Sequence, residues 1–365
     1  MSKVKAIVKK LVRAHFERRK KNSLANDWRK TQASNTNGNV LSKEQRDVYA
    51  SFWKPYYDKT TFKYTPVFHE FYYEKTGLFD KYIVPDDLYY AYIDQYFNDW
   101  DAAVYLDNKC LYKRLFSIDN VEIKQPFVLA NRQNNVWTDT NGKILPYDDV
   151  LRLLTGQREV VIKRATDSCA GQGVYFCEGG DPARLEKIIQ DIDSDLVVQS
   201  ILRQHPGLDK INNTSINTIR IITLLFPDRV EVLSAILRMG INGSRVDNAS
   251  SGGITCGIDR DGKLKRTAYS SAGEKYTIHP SSGVVFEGYP IPGFDKAVET
   301  VIRLHPLFPH FRLVSWDVAV DEEGEPVVIE TNLKYGELDF HQLNNGPLFG
   351  DKTEQILQEV FDAKR

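Results

Sequence analysis

The sequence predicts an α+β protein with mainly antiparallel sheets, preceded by a helical region. Two observations predict it. After residue 120, short β-type runs separated by turn signals dominate, and only two convincing helical stretches interrupt them. Before residue 120, Tyr, Phe and Trp recur at irregular three- and four-residue spacing with few glycines, the texture of packed helices. With 365 residues the chain is long enough for two or three compact units, each with its own core.

Taken in order, residues 1–42 read as a basic amphipathic helical segment. The first 30 residues hold 11 Lys and Arg against two acids, and Val4, Ile7, Val8, Leu11, Val12 and Phe16 recur at helical spacing. Such a helix lies on an anionic membrane surface or docks a partner; the alternative is a terminal helix packed on its own domain. Residues 43–120 form the aromatic-rich helical region. Residues 121–200 and 201–365 carry the β runs "QPFVLANR", "EVVIKRA", "GVYFCEG", "DLVVQSIL", "NTIRIITLLF", "VEVLSAILRMG", "GGITCGID", "RLVSWDVAV" and "PVVIETN", with helices expected near "DPARLEKIIQDI" and "GFDKAVETVIRLHP".

Composition narrows the function classes. A net charge of −1 gives no global attraction to nucleic acid, and the acids mixed among the aromatics oppose a phosphate backbone, so no nucleic-acid partner is expected. No uncharged apolar run approaches the roughly 18 residues of a membrane span. Four widely spaced cysteines, Cys110, Cys169, Cys177 and Cys256, disfavour both a zinc knuckle and a disulfide framework. A cytoplasmic location fits, or a peripheral one at the inner membrane face through the basic helix.

Two segments carry chemistry. In "VVIKRATDSCAGQGVYF", residues 160–176, a strand ending in Lys163 enters a small polar loop with two glycines and continues as a second strand. Walker and dinucleotide loops run into a helix and are therefore excluded. What remains is a strand–loop–strand flap whose backbone amides, from Gly171 to Val174, can fold over phosphate, or else a glycine-containing hairpin with a surface lysine. In "SWDVAVDEEGEPVVIETN", residues 315–332, "DEEGEP" is a hairpin turn. Asp317 and Glu330 should then face each other across the strands, with Asn332 pointing the same way as Glu330. Two carboxylates in an apolar surround repel and lose hydration, which would either protonate one or demand a cation; a hard cation such as Mg²⁺ would resolve the conflict, and an exposed face of solvated acids is the alternative.

Together, "DNKCLYKRLF", "VVIKRATDSCAGQGV", "LVVQSILRQHP", "NTIRII", "VDNASSGGI" and "SWDVAV...VVIETN" resemble the ATP-grasp superfamily, and more closely the sugar-transfer-associated ATP-grasp proteins of bacterial polysaccharide genes, over about residues 105–350. The resemblance implies an ATP-grasp fold, two α+β subdomains gripping ATP, with ATP and Mg²⁺ as cofactors. It implies that Lys109 and Lys163 contact nucleotide phosphates, Lys113 competing for the first role. Ser168, Gly171, Gln172, Gly173 and Val174 match the flap, and Gln199, Ser200 and Ile201 the adenine-reading hinge, where many members carry a glutamate. Arg220 matches an arginine near the γ-phosphate and acyl intermediate, making Arg220 and Lys163 the catalytic candidates. Asp317, Glu330 and Asn332 match the metal ligands.

Substrate-side candidates are Arg238, Asn248, Gly252, Gly253, Asp339 and His341, with Gln342 beside them. Cys169 reads as a filler rather than a nucleophile. The N-terminal region departs from the α/β domain that many superfamily members carry. The activity so implied is an ATP-dependent carboxylate–amine ligase acting through an acyl phosphate, joining an amino acid or amine to a sugar acid in surface polysaccharide assembly. An ATP-dependent phosphotransferase of the same fold and a non-catalytic partner of a membrane glycosyltransferase are the competing readings.

Overall fold

Each of the nine β runs becomes a strand, and alternation along them decides which side chains meet. The computed structural model describes residues 2–116, 123–166, 173–248 and 252–362, with side chains from residue 17 onward. By contacts the chain divides into two units: one of residues 1–99, 272–274 and 337–365, the other of residues 100–271 and 275–336.

The first unit is helical. It contains Ser2–Asn35, Lys43–Tyr57, Val67–Thr76, a stretch from Asp86 to Phe97 with a π-helical turn at Tyr89–Ile93, and the late helices Leu338–Asn345 and Thr353–Asp362. The second helix starts with a capping box, in which Ser42 accepts from the Gln45 amide and Gln45 accepts from the Ser42 amide. The third stops at Gly77, whose φ of 74° only glycine adopts without cost. The aromatic residues form the core: Tyr49, Trp53, Tyr57, Phe68, Phe71, Tyr72, Tyr89 and Tyr90 are all buried. The first helix joins this core through its second half, where Trp28 stacks on Tyr90 at 4.3 Å and Arg29 pairs with buried Asp87 at 2.7 Å. The apolar stripe from Val4 to Phe16 lies outside the described side chains. No helix among the described residues is long and apolar enough to cross a membrane.

The second unit holds two sheets in which every strand ladder is antiparallel. The smaller is built from β1 (Val128–Gln133), β2 (Val136–Thr138), β3 (Glu159–Arg164), β4 (Val174–Glu178) and β5 (Leu196–Ser200), ordered β2-β1-β5-β3-β4. Helices Tyr147–Thr155 and Pro182–Asp191 join its apolar cluster, in which Ala130, Val160, Ile162 and Val198 meet Val150, Leu154, Leu185 and Ile189. The larger sheet comprises β6 (Thr218–Leu225), β7 (Val230–Met239), β8 (Ile254–Ile258), β9 (Leu264–Tyr269), β10 (Lys275–Tyr276), β11 (Leu313–Val320) and β12 (Pro326–Asn332), ordered β10-β9-β8-β7-β6-β11-β12. Helix Phe294–Leu304 packs Ala297, Val301 and Leu304 on its apolar face. Sequence periodicity missed β2, β9, β10 and helix Tyr147–Thr155, each too short or too polar to show a period of its own.

Candidate functional site

Alternation along the strands gives the large sheet one apolar face and one polar face. Ile219, Ile221, Leu237, Trp316 and Val318 enter the core. The residues between them, Thr218, Arg220, Arg238, Ser315 and Asp317, therefore share the opposite face. Across that face Arg220 of β6, Asp317 of β11 and Glu330 of β12 stand in register. The hairpin turn closes with the Gly324 amide on the Asp321 carbonyl at 3.0 Å, Gly324 having φ 81°, and a bulge between Asp317 and Val318 then brings Asp317 opposite Glu330.

Asp317 is held by arginine. Arg220 donates from Nε to Oδ1 at 2.7 Å and from Nη2 to Oδ2 at 2.6 Å, a two-pronged pair, and Arg238 donates from Nη1 to Oδ2 at 3.0 Å. Burial pushes the Asp317 carboxyl up, but the two guanidinium groups outweigh it and bring the pKa down to about 2. Arg238 also donates from Nη2 to the side-chain amide oxygen Oδ1 of Asn248. Asp247, beside them, accepts from the Thr218 amide at 3.2 Å; burial raises its pKa against the pull of Arg238.

Glu330 is met from the other side. Lys109 donates from Nζ to Oε1 at 2.7 Å, and its own amide is tied to the Ala165 carbonyl at 2.9 Å, just beyond β3. Lys163, on β3, feels Lys109, Glu330, Asp247 and Asp317; desolvation first and Lys109 second lower its pKa to about 8. Asp107 completes the group: burial, then the charge of Glu330, raises its carboxyl to about 7, while it accepts the Leu333 amide at 3.4 Å. Lys109, Lys163, Arg220, Arg238, Asp317 and Glu330 thus form one electrostatic cluster.

The structure corrects the reasoning that brought a cation to this hairpin. The carboxylates do stand opposite each other, but Arg220, Arg238 and Lys109 already compensate them, so mutual repulsion does not by itself demand a metal. Among the described residues no group of three or more His, Cys, Asp or Glu side chains is arranged to hold a metal ion. A hard divalent cation still suits the donors on β12: Glu330 and Asn332 are two residues apart on one strand, both partly exposed, and Asn332 uses its amide nitrogen on the Ser315 carbonyl at 3.4 Å, leaving its oxygen for other contacts.

The remaining candidates separate. Lys113 turns to Thr140 Oγ1 at 2.9 Å and Asn141 Oδ1 at 3.3 Å, so Lys109 is the lysine that meets Glu330. Ser168, Gly171, Gln172 and Cys169 lie outside the described residues. Gly173 has φ 77° and accepts the Arg164 amide at 3.1 Å, and Val174 pairs with Lys163. Gln199 is buried with no partner for its amide oxygen, the Ser200 amide donates to the Phe127 carbonyl, and Ile201 follows β5. Gly252 has φ 94°, and the Gly253 amide donates to the Asn248 carbonyl at 3.0 Å. A side chain at 253 would come within 2.7 Å of the Asp247 carbonyl, so this close backbone approach requires glycine there.

Asp339, His341 and Gln342 belong instead to the helical unit. Gln342 is a clamp there, its amide nitrogen donating to the Val84 carbonyl and its oxygen accepting the Val84 amide, both at 2.9 Å. His341 is fully buried, and the charge of Asp339 helps raise the pKa of buried Asp86, behind desolvation.

Sequence reasoning missed four features: the pairing of Asp317 with two arginines, the pairing of Glu330 with Lys109, and the presence of Asp107 and Asp247. A signal existed for the first, because an arginine at the alternate position of an otherwise apolar strand, as in "TIRII" and "AILRM", has to find a carboxylate.

A family model described as "Sugar-transfer associated ATP-grasp" matches residues 89–358. No curated protein matches the chain. Among solved structures, the chain is similar to an L-amino acid ligase from Bacillus licheniformis (14% identity, TM-score 0.38, covering 70% of this chain and 47% of that one). It is also similar to a D-alanyl-alanine synthetase A from Vibrio cholerae (13% identity, TM-score 0.43, covering 72% and 66%). The chain therefore spans about half the length of the first of these.

Proposed function

The chain belongs to the sugar-transfer associated ATP-grasp family, and from that premise we propose that it is an ATP- and Mg²⁺-dependent carboxylate–amine ligase. The acid would be a sugar acid or another carboxylate, the amine an amino acid or simple amine, and the setting surface polysaccharide assembly at the cytoplasmic face of the membrane. The basic stretch at the N-terminus would supply attraction to anionic lipid or to a glycosyltransferase.

One observation supports the reading above the others: two lysines and two arginines converge on the Asp317–Glu330 hairpin. A carboxylate is a poor acyl donor because its oxygen is a poor leaving group. Transfer of the γ-phosphoryl group of ATP to that oxygen gives an acyl phosphate and ADP. An amine then attacks the carbonyl carbon, the C–O bond to phosphate breaks, and the amine loses a proton. Such transfer needs positioning and charge neutralisation more than covalent help. Lys109 and Lys163 would hold the triphosphate, and a phosphate partner would favour the charged form of Lys163, whose surroundings disfavour it. Arg220 and Arg238, fixed by Asp317, would orient the acid and balance the growing charge on the reacting oxygens. Glu330 and Asn332 would hold Mg²⁺, which when bound draws negative charge from the phosphate oxygens.

ATP turnover with panels of acids and amines tests the proposal. Release of ADP and free phosphate only when both substrates are present supports the ligase; phosphate retained on an acceptor favours the phosphotransferase. Glu330→Gln should abolish turnover and Mg²⁺-dependent nucleotide binding while the circular dichroism spectrum stays unchanged. A folded variant with full activity would refute the assignment of Glu330.

A further inference from the structure

The Lys109–Glu330 pair has a consequence for the order in which ligands enter, and it rests on the nucleotide site proposed above. The lysine side chain is 5% exposed and its ammonium lies 2.7 Å from Glu330 Oε1. Its backbone is anchored on Ala165. Lys163 is close enough to feel both members of the pair. Asp317 offers a metal little, since its two oxygens already accept three N–H groups.

We infer that Lys109 is a resident counter-ion standing where a divalent cation would meet Glu330, and that it yields this place only when a polyphosphate offers its ammonium a new anion. A cation arriving alone has to expel the ammonium from the carboxylate. With its side chain 5% exposed and its backbone tied to Ala165, the lysine has little room to withdraw, so a dication would then sit beside two ammonium groups in a partly desolvated site, where like charges repel strongly. A triphosphate removes the conflict by giving Lys109 and Lys163 anionic oxygens and freeing Glu330. Metal and nucleotide therefore enter as one unit, and by linkage each tightens the other by the same factor.

The test uses the full chain and Mn²⁺ as the probe, with free Mn²⁺ read by electron paramagnetic resonance, in the presence and absence of a non-hydrolysable ATP analogue. Wild type should bind Mn²⁺ alone at least about ten-fold more weakly than with the analogue. Lys109→Met should bind Mn²⁺ alone about ten-fold more tightly than wild type and lose most of the coupling, as expected when one opposing charge is removed. Glu330→Gln should lose the site in both states, which locates the signal. The inference is overturned if Lys109→Met, folded by circular dichroism, binds Mn²⁺ no more tightly than wild type. It is also overturned, without any variant, if wild type binds Mn²⁺ equally well with and without the analogue bound. Failure of the analogue to bind wild type would overturn the nucleotide proposal, whereas a Mn²⁺ gain in Lys109→Met would still uphold the competition at Glu330.

Discussion

Replacing Asp317 by Asn separates two accounts of the carboxylate hairpin, because they predict opposite signs. If Asp317 and Glu330 simply repelled one another while awaiting a metal, removing one charge would stabilise the ligand-free protein. The structure shows the reverse arrangement: Asp317 accepts three charge-assisted hydrogen bonds, and the side chains of Asp317, Arg220 and Arg238 are 6%, 5% and 3% exposed. Removing one member of such a buried pair typically costs about 3–5 kcal/mol, because the partner charges are left uncompensated. Protonating Asp317 should cost less. Its carboxyl is lowered from 3.8 to about 2, which corresponds to about 2 kcal/mol. The sign follows from linkage: this stability is fully present above pH 3.8 and is lost as pH falls through 2. Urea unfolding at pH 7 without ligands, followed by tryptophan fluorescence, measures the difference. A loss of about 3–5 kcal/mol in Asp317→Asn is expected. A loss below about 1 kcal/mol, or any gain, would show that the arginines do not depend on Asp317 and would refute the account.

Two further perturbations test other parts of the molecule. His69 is fully buried in the helical unit, stacked on Tyr49 at 3.9 Å, and burial lowers its pKa to about 3 despite its bond to the Ile83 carbonyl. The unfolded chain takes up a proton below pH 6.5 that the folded chain refuses, so stability falls as pH drops toward 3. Between pH 7 and pH 5 the wild type should lose about 2 kcal/mol that His69→Gln does not lose; parallel urea midpoints for the two proteins would count against this. At Gly179 an added Cβ would lie 1.9 Å from the Gln157 carbonyl oxygen, a backbone atom with no room to move. Gly179→Ala should therefore cost about 3 kcal/mol or more in urea unfolding, and a change within about 0.5 kcal/mol would contradict the geometry.

Much of the site was legible because strand periodicity is short and hairpin geometry is local. The turn "DEEGEP" brought Asp317 and Glu330 to the same level of the hairpin, but even spacing from the turn would have set Asp317 against Ile329; a bulge between Asp317 and Val318 shifts the register by one residue and puts Glu330 there. Lys163 could be placed at a strand end by the same reasoning. Counter-ions were a different matter. Arg220 and Arg238 come from β6 and β7, and Lys109 precedes the small sheet entirely, so which carboxylate each would meet depended on strand order. Asp339, His341 and Gln342 illustrate the converse: their closeness to Asn332 in sequence suggested a shared site, yet they fold into the helical unit, where Gln342 closes on Val84.

By itself, then, the sequence determined the strands, the helical aromatic region and, away from the bulge in the carboxylate hairpin, the face on which the strand-borne chemical groups would lie, since side-chain direction follows a local period. Only the tertiary structure decided how those groups are neutralised. Ion pairing inside a protein depends on distances of a few ångströms between segments far apart in the chain, and a buried charge accepts whichever opposite charge the sheet order delivers. Here that order delivered two arginines to Asp317 and a lysine to Glu330.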